Sequence, residues 1–178
     1  MILKDIIRRV IQIAGLEEEV NVDTPGTKLN KLIDAANMIY SELTLEYVHL
    51  KTKEKARFDG GRLYYKDLSK QVREVIEVNV RGAKVPFIMY PLYIEADVRG
   101  DAEVIYNYHL GELAIEDEVI LPPQYSEYVI ATGVVSEYYY RVGLIDEALF
   151  YKNRYDTAIT NLSRRLRNIK LPERRVFK

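Results

Sequence analysis

The stretch EYVHLKTKEKARFDGGRLYY, residues 46–65, changes its period part-way along, and that change decides the fold class. Upstream, Leu29, Leu32, Ile33, Ala36, Ile39 or Tyr40, Leu43 and Tyr47 recur three and four apart, the stripe of an amphipathic helix about 30 Å long. From about residue 52 apolar and polar residues alternate, and they continue to do so until about residue 115, which is the period of strands. Asp59-Gly60 or Gly60-Gly61 supplies the positive φ of a tight turn, predicting a hairpin across RFDGGRLYY.

Two more hairpins follow from the same pattern. VIEVNVRGAKVPF turns near Gly82. In PLYIEADVRGDAEVIYNYHL, Leu92, Ile94, Ala96 and Val98 share one face before a turn, and Ala102, Val104, Tyr106, Tyr108 and Leu110 share one after it. Pro86 and Pro91 belong at edges or breaks, because neither can donate to a ladder.

Helical periodicity flanks this region on both sides. Leu3, Ile6, Ile7, Val10, Ile11 and Ala14 form a stripe that Gly15 is placed to end. After Leu121-Pro122-Pro123 a helix is predicted from about Gln124 to Val142, with so little polar surface that it must be covered on several sides. Beyond Gly143 a last helix runs from about Asp146, a candidate N-cap, to Ile169. It has one stripe (Ala148, Tyr151, Tyr155, Ala158, Leu162, Leu166, Ile169) and an increasingly basic opposite face. The fold class is therefore α+β: an α-helical bundle of N- and C-terminal helices with a central antiparallel β insertion of hairpins. A single domain spans 1–178, comprising N-terminal helices (1–51), the β-hairpin insertion (52–116), C-terminal helices (121–170) and a C-terminal tail (171–178).

A chain of 178 residues suits one body that buries roughly 70% of its unfolded surface. Without Cys it has no thiol redox chemistry and no disulfide staple. Lys4, Asp5, Arg8 and Arg9 interrupt the apolar start too early for a signal-peptide core or a bilayer span, so a soluble protein without membrane contact is expected.

Catalytic constellations are missing from the sequence. His49 and His109 are its two imidazoles, no HExxH pairing occurs, and both fit ordinary loop or strand-end positions. FDGGRLYY lacks the Lys-Ser/Thr and following helix of a phosphate loop. ELAIEDEVILPP lacks the order of an EF-hand loop and reads as a solvated loop at the sheet-to-helix junction. No catalytic residue, metal or cofactor is assigned, and no enzyme is expected.

Charge is the unusual feature. The whole chain carries a formal charge of -1, yet Glu112 to Glu147 holds eight acidic residues against one basic, and Lys152 to Lys178 nine basic against two acidic. The end, RRLRNIKLPERRVFK (164–178), adds Val176 and Phe177 to this basic run. A nucleic-acid arm, a membrane-surface anchor or a plug for a protein socket could each use it. Phosphate contacts need no Val-Phe pair, and a membrane anchor wants a longer apolar face, so the socket accounts for both parts.

LNKLIDAANMIYSELTLEYVHLKTKE, FIMYPLYIEADVRGDAEVIYNYHL and LPPQYSEYVIATGVVSEYYYRVGLIDEALFYKNRYDTAI together resemble the head-to-tail adaptor proteins of tailed bacteriophages, also called neck, head-completion or connector-ring proteins. Gly133, Glu137, Tyr138, Gly143, Glu147, Ala148, Tyr155, Ala158 and Ile159 match the family's helical pattern. Arg174-Arg175 stand in its terminal basic motif, with Val176-Phe177 where that motif ends in Trp and Phe150 or Tyr151 where another Trp is common. The resemblance implies a non-enzymatic homo-oligomeric ring, typically a dodecamer, between the portal protein and tail or second neck components. DNA would pass through its lumen without sequence-specific binding. It also implies a place in the virion neck, and in the host cytoplasm during assembly. Arg174, Arg175, Val176 and Phe177 are the expected portal contact. The opposite charge poles permit a head-to-tail subunit contact, for which Arg164, Arg165, Arg167, Glu127, Glu137 and Tyr151 are the candidates. The rival expectation is a nucleic-acid-binding protein using Arg164, Arg165, Arg167 and Lys170 of the basic last helix.

Overall fold

The computed structural model describes residues 1–166. The chain is α+β and falls into two compact units, Met1–Tyr40 with the segment from Ala114 onward, and Ser41–Leu113.

The first unit holds α1 (Leu3–Ala14), most of α2 (Thr27–Glu42), α3 (Glu127–Val142) and α4 (Ile145–Leu166). α1 buries Leu3, Ile6, Ile7, Val10 and Ile11 and packs on α3, and Gly15 ends it at φ 65°, donating its N–H to the Ile11 carbonyl. The start of α1 is closed by the acidic loop. Leu3 and Lys4 N–H donate to the Asp117 and Ile115 carbonyls at 3.0 and 2.9 Å, and the Lys4 ammonium reaches Glu116 at 2.8 Å and Asp23 at 2.9 Å. ELAIEDEVILPP thus supplies partners for backbone donors that a helix N-terminus leaves unsatisfied.

Ser126 caps α3, its Oγ accepting from Val129 N–H, so the helix begins three residues later than the pattern from Gln124 predicts. Every residue from Ile130 to Ser136 is buried, in line with the expected many-sided cover. α4 lays Ala148, Tyr155 and Ile159 against α3, and Ser136 Oγ donates to the Ala148 carbonyl at 3.0 Å. Gly133 makes this approach feasible. A Cβ there would sit 2.8 Å from two Tyr155 ring carbons and 3.3 Å from an Ile39 methyl. α4 begins at Ile145, which places Asp146 in the first turn rather than at the cap.

The second helix also differs from its expected length. α2 ends at Glu42, and Leu43–Tyr47 widen into a π-helical turn. The wider turn releases the carbonyls of Thr44 and Leu45, and both accept from the Arg73 guanidinium.

The second unit contains two antiparallel sheets. β1 (Lys51–Phe58), β7 (Gly100–His109), β3 (Gln71–Val80) and β4 (Ala83–Val85) form one, in that order. β2 (Arg62–Tyr64), β6 (Tyr93–Ala96) and β5 (Phe87–Met89) form the other. The hairpin at Gly82 is present as β3–β4, with Arg81 and Gly82 both at positive φ. The other two predicted hairpins are corners between sheets. Gly60 and Gly61 take φ 57° and 83°, and Asp59 and Arg62 exchange both backbone bonds, yet β1 goes on to pair with β7 and β2 with β6. Phe58 and Leu63, on either side of this turn, are both buried, although the strands they end and begin, linked by three residues, belong to two sheets. The chain likewise crosses at Asp97–Arg99 instead of folding β6 onto β7. Alternation placed Ile94, Ala96, Val98, Ala102, Val104, Tyr106 and Tyr108 correctly, since all are buried, but Leu92, expected on the same face, lies in the turn before β6 and is exposed, Leu110 is only partly buried, and alternation does not specify pairing partners. Pro86 separates β4 from β5, and Pro91 sits in the β5–β6 turn closed by Tyr90 N–H on the Tyr93 carbonyl, 2.8 Å.

Candidate functional site

Arg167, Arg174, Arg175, Val176 and Phe177 lie outside the described residues, and Arg164 and Arg165 fall in the last turn of α4. The other three candidate contact residues already have partners within the chain. Glu127 accepts from Arg9 at 3.2 Å, Glu137 accepts from Arg141 one turn on at 2.8 Å, and half-buried Tyr151 donates to the Ile13 carbonyl at 3.4 Å while its ring meets Tyr139 and Phe150.

What the first unit does present to solvent is the corner between α3 and α4. Gly143, at φ 85°, ends α3 and turns the chain at once into α4. Because Ala148, Tyr155 and Ile159 take the buried side of α4, Ile145 and Leu149, one turn apart, are left outside with Phe150. Tyr140, Val142 and Leu144 complete the corner, and Tyr140, Leu149 and Phe150 are each more than half exposed, at 66%, 55% and 56%. Phe150 is held in place, edge-on to Tyr151 and under the Arg154 guanidinium, which also donates to the Tyr128 hydroxyl at 2.8 Å. Asp146 and Glu147 project from the same turn, both exposed. Exposed apolar residues are ordinary when scattered; here six large ones fall within eleven positions around one helix-to-helix turn.

The second unit presents a different kind of surface. In the three-stranded sheet the register Leu63↔Ile94↔Met89 puts the first two on the buried face. The neighbouring rows, Arg62↔Glu95↔Ile88 and Tyr64↔Tyr93, must therefore face outward. Ile88 is 61% exposed and Leu92, in the adjoining turn, 72%. Tyr90 stacks on Tyr93 with centroids 4.8 Å apart, Tyr64 tilts against Tyr93 at 5.6 Å, Arg62 lies 5.1 Å from the Tyr93 centroid, and Lys66 lies 5.6 Å from that of Tyr64. The cations and neighbouring rings fix the tyrosines in one arrangement. Among the described residues β5 is also a sheet edge, paired with β6 on one side.

Neither surface holds a reactive constellation. Among the described residues no group of three His, Asp or Glu side chains could hold a metal ion. A groove of the second unit, about 830 Å³, runs past Phe58, Asp59, Phe87, Asp97 and Arg99, with no His or Lys and no hydroxyl side chain on its wall. No described helix is long and apolar enough to cross a membrane.

The corner and the sheet face were both missed in the sequence. The tyrosines Tyr64 on β2, Tyr93 on β6 and Tyr90 just before it, and Leu144-Ile145 directly after Gly143, were the available signals. No protein-family model and no curated protein matches the chain.

Proposed function

We propose that the chain is a structural subunit of a viral head-to-tail connector ring that docks on a portal protein and links it to tail components, with DNA passing through the lumen. The finer architecture belongs to this reading: a bundle of N- and C-terminal helices with the β region as an insertion. The carrying observation is the solvent-facing apolar corner at the α3–α4 turn, a surface a monomer has no reason to keep. Its counterpart in the second unit is aromatic and cationic, so the two surfaces are unlike. Unlike surfaces on one chain favour heterologous contacts, which close into rings, over isologous ones, which make dimers.

The positions that match the adaptor pattern have packing roles consistent with this reading. Gly133, Tyr155, Ala148 and Ile159 set the α3–α4 distance, and Gly143 makes the turn that exposes the corner. In the proposed assembly Arg174 and Arg175 form charge-assisted bonds to acidic groups on the portal, while Val176 and Phe177 fill an apolar recess. Identical weak contacts repeated around a ring reinforce one another once the first has formed.

The test is electron-microscope imaging and native mass measurement of the full chain and of a chain lacking residues 171–178, each with and without portal. Rings of the full chain that dock on portal, and a folded truncated chain that does not, are the expected results. A truncated chain that docks normally removes the tail assignment. A strict monomer indifferent to portal, with DNA affinity that falls steeply with salt, favours the basic last helix as a nucleic-acid binder instead.

A further inference from the structure

We propose that the α3–α4 corner of one copy docks on the outward face of the β2–β6–β5 sheet of a second copy, and that this heterologous pairing is the repeating contact of the ring. The inference rests on the ring reading and names the surfaces that would make the ring.

Charge selects the pairing. At the corner the apolar side chains Leu144, Ile145, Leu149 and Phe150 are accompanied by Asp146 and Glu147 in the first turn of α4. On the sheet the apolar side chains Ile88 and Leu92 and the tyrosine cluster are accompanied by Arg62 and Lys66. Arg141 is neutralised by Glu137, and Arg154, over Phe150, is the basic group set against Asp146 and Glu147; Glu95 is set against Arg62 and Lys66, so each surface keeps an excess of one sign and the excesses are opposite. Corner-to-corner contact would bring Asp146 and Glu147 of two copies together, and sheet-to-sheet contact would do the same with Lys66, so both isologous pairings are opposed by like-charge repulsion. Glu95, which pairs with Arg62 at 3.6 Å, leaves Lys66 as the stronger unneutralised charge on the sheet side.

The chemistry of both surfaces is that of protein contacts. Tyr93 is engaged by Tyr90, Tyr64 and the Arg62 guanidinium, while Tyr64 and Tyr90 themselves stay exposed at the rim of the group. Tyr and Arg beside exposed aliphatic side chains are the residue types that concentrate binding energy at protein interfaces. The order already present in the Tyr64–Tyr93–Tyr90 group lowers the cost of fixing those side chains on association.

Charge-swap complementation on the full chain tests the pairing. One variant carries Asp146→Lys and Glu147→Lys, the other Arg62→Glu and Lys66→Glu. Every changed side chain is exposed, and each variant is first compared with the unaltered chain by circular dichroism and thermal melting. Association is followed by sedimentation velocity at about 0.1 M and about 1 M salt, between which the screening length falls from about 10 Å to about 3 Å. Each variant alone should associate at least about tenfold more weakly than the unaltered chain, about 1.4 kcal/mol per contact. An equimolar mixture should recover assembly, because the basic corner of one variant meets the acidic sheet of the other and the reverse pair also matches. Folded variants that both assemble like the unaltered chain, or a mixture that recovers nothing, would overturn the pairing.

A second measurement needs no variant. Carbodiimide coupling of a mixture of isotopically light and heavy chains should join Lys66 of one chain to Asp146 or Glu147 of another. Intermolecular coupling of Lys66 only to other carboxylates also overturns the pairing. Rings that form while both tests fail leave the connector reading standing with a different contact. A chain that stays monomeric with and without portal removes both.

Discussion

Gly133→Ala probes the close approach of α3 to α4, and its effect separates two opposing terms. Replacing a mid-helix glycine by alanine normally stabilises by about 1 kcal/mol, because glycine surrenders more backbone freedom on folding. Here the new methyl would stand 2.8 Å from Tyr155 Cδ2 and Cε2, well inside ordinary contact, and 3.3 Å from Ile39 Cγ2. Tyr155 is 1% exposed and Ile39 4%, so neither side chain has room to retreat. Overpacking of a filled core costs about 1–3 kcal/mol, which leaves a net loss of up to about 2 kcal/mol. For a chain of this size each kcal/mol moves the midpoint of thermal unfolding by about 2–4 °C. The decisive assay is a double-mutant cycle by urea unfolding. Tyr155→Leu removes the ring edge at its own cost, and in that background Gly133→Ala should change sign and stabilise by about 1 kcal/mol. The coupling between the two sites should then be about 1–3 kcal/mol. Additivity to within about 0.5 kcal/mol would refute the close-approach argument and leave the glycine without a packing role.

Other elements make separate predictions. Gly61→Ala places a side chain at φ 83° with its Cβ 3.0 Å from the Ala96 carbonyl oxygen, and should cost about 2 kcal/mol or more in urea unfolding, whereas Gly60→Asn, at φ 57° with open space around it, should cost under about 1 kcal/mol. Ser126→Ala removes the α3 cap and should lower stability by about 1 kcal/mol, with Ser126→Asp close to neutral in the same assay. Burial raises the folded-state pKa of the Tyr106 and Tyr139 phenols above the ordinary 10.0. The stability linked to them, and to Tyr65, whose phenol burial also raises, is therefore complete below that value and lost as pH rises through the raised ones, so tyrosinate absorbance should show late-titrating phenols whose ionisation accompanies unfolding. In acid the sign is opposite. Hydrogen bonding to Lys84 and Asn79 lowers the Glu77 pKa, and hydrogen bonding to Lys4 lowers that of Asp23, so their contribution holds above the ordinary carboxylate range and is lost as pH falls through the lowered values. Unfolding midpoints across an acid series check this, and no shift in Glu77→Gln relative to the unaltered chain would contradict it.

What could be read in the sequence follows from the range of the interactions that write it. The α1 stripe, its Gly15 stop and the buried character of α3 depend on neighbours within one or two turns, and each is legible in a window of a dozen residues. The alternating faces of β6 and β7 are local in the same sense. Strand pairing is not local. Asp59-Gly60-Gly61-Arg62 carries every sign of a tight turn and forms one, yet the strands it joins pair with β7 and β6 in different sheets, a choice of partner written in residues about forty and thirty positions away. The π-helical turn at Leu43–Tyr47 has two of its carbonyls bonded by Arg73, a residue about thirty positions away. The same distinction governs the candidate surfaces. Glu127 and Glu137 stood out by sequence charge alone, and their charges are used by Arg9 and Arg141. Leu149 and Phe150 look like core residues until Ala148, Tyr155 and Ile159 are seen to fill the buried side of α4. An interaction surface is defined by what the fold leaves uncovered, so only the completed packing separates the apolar residues spent on the core from those kept for a partner.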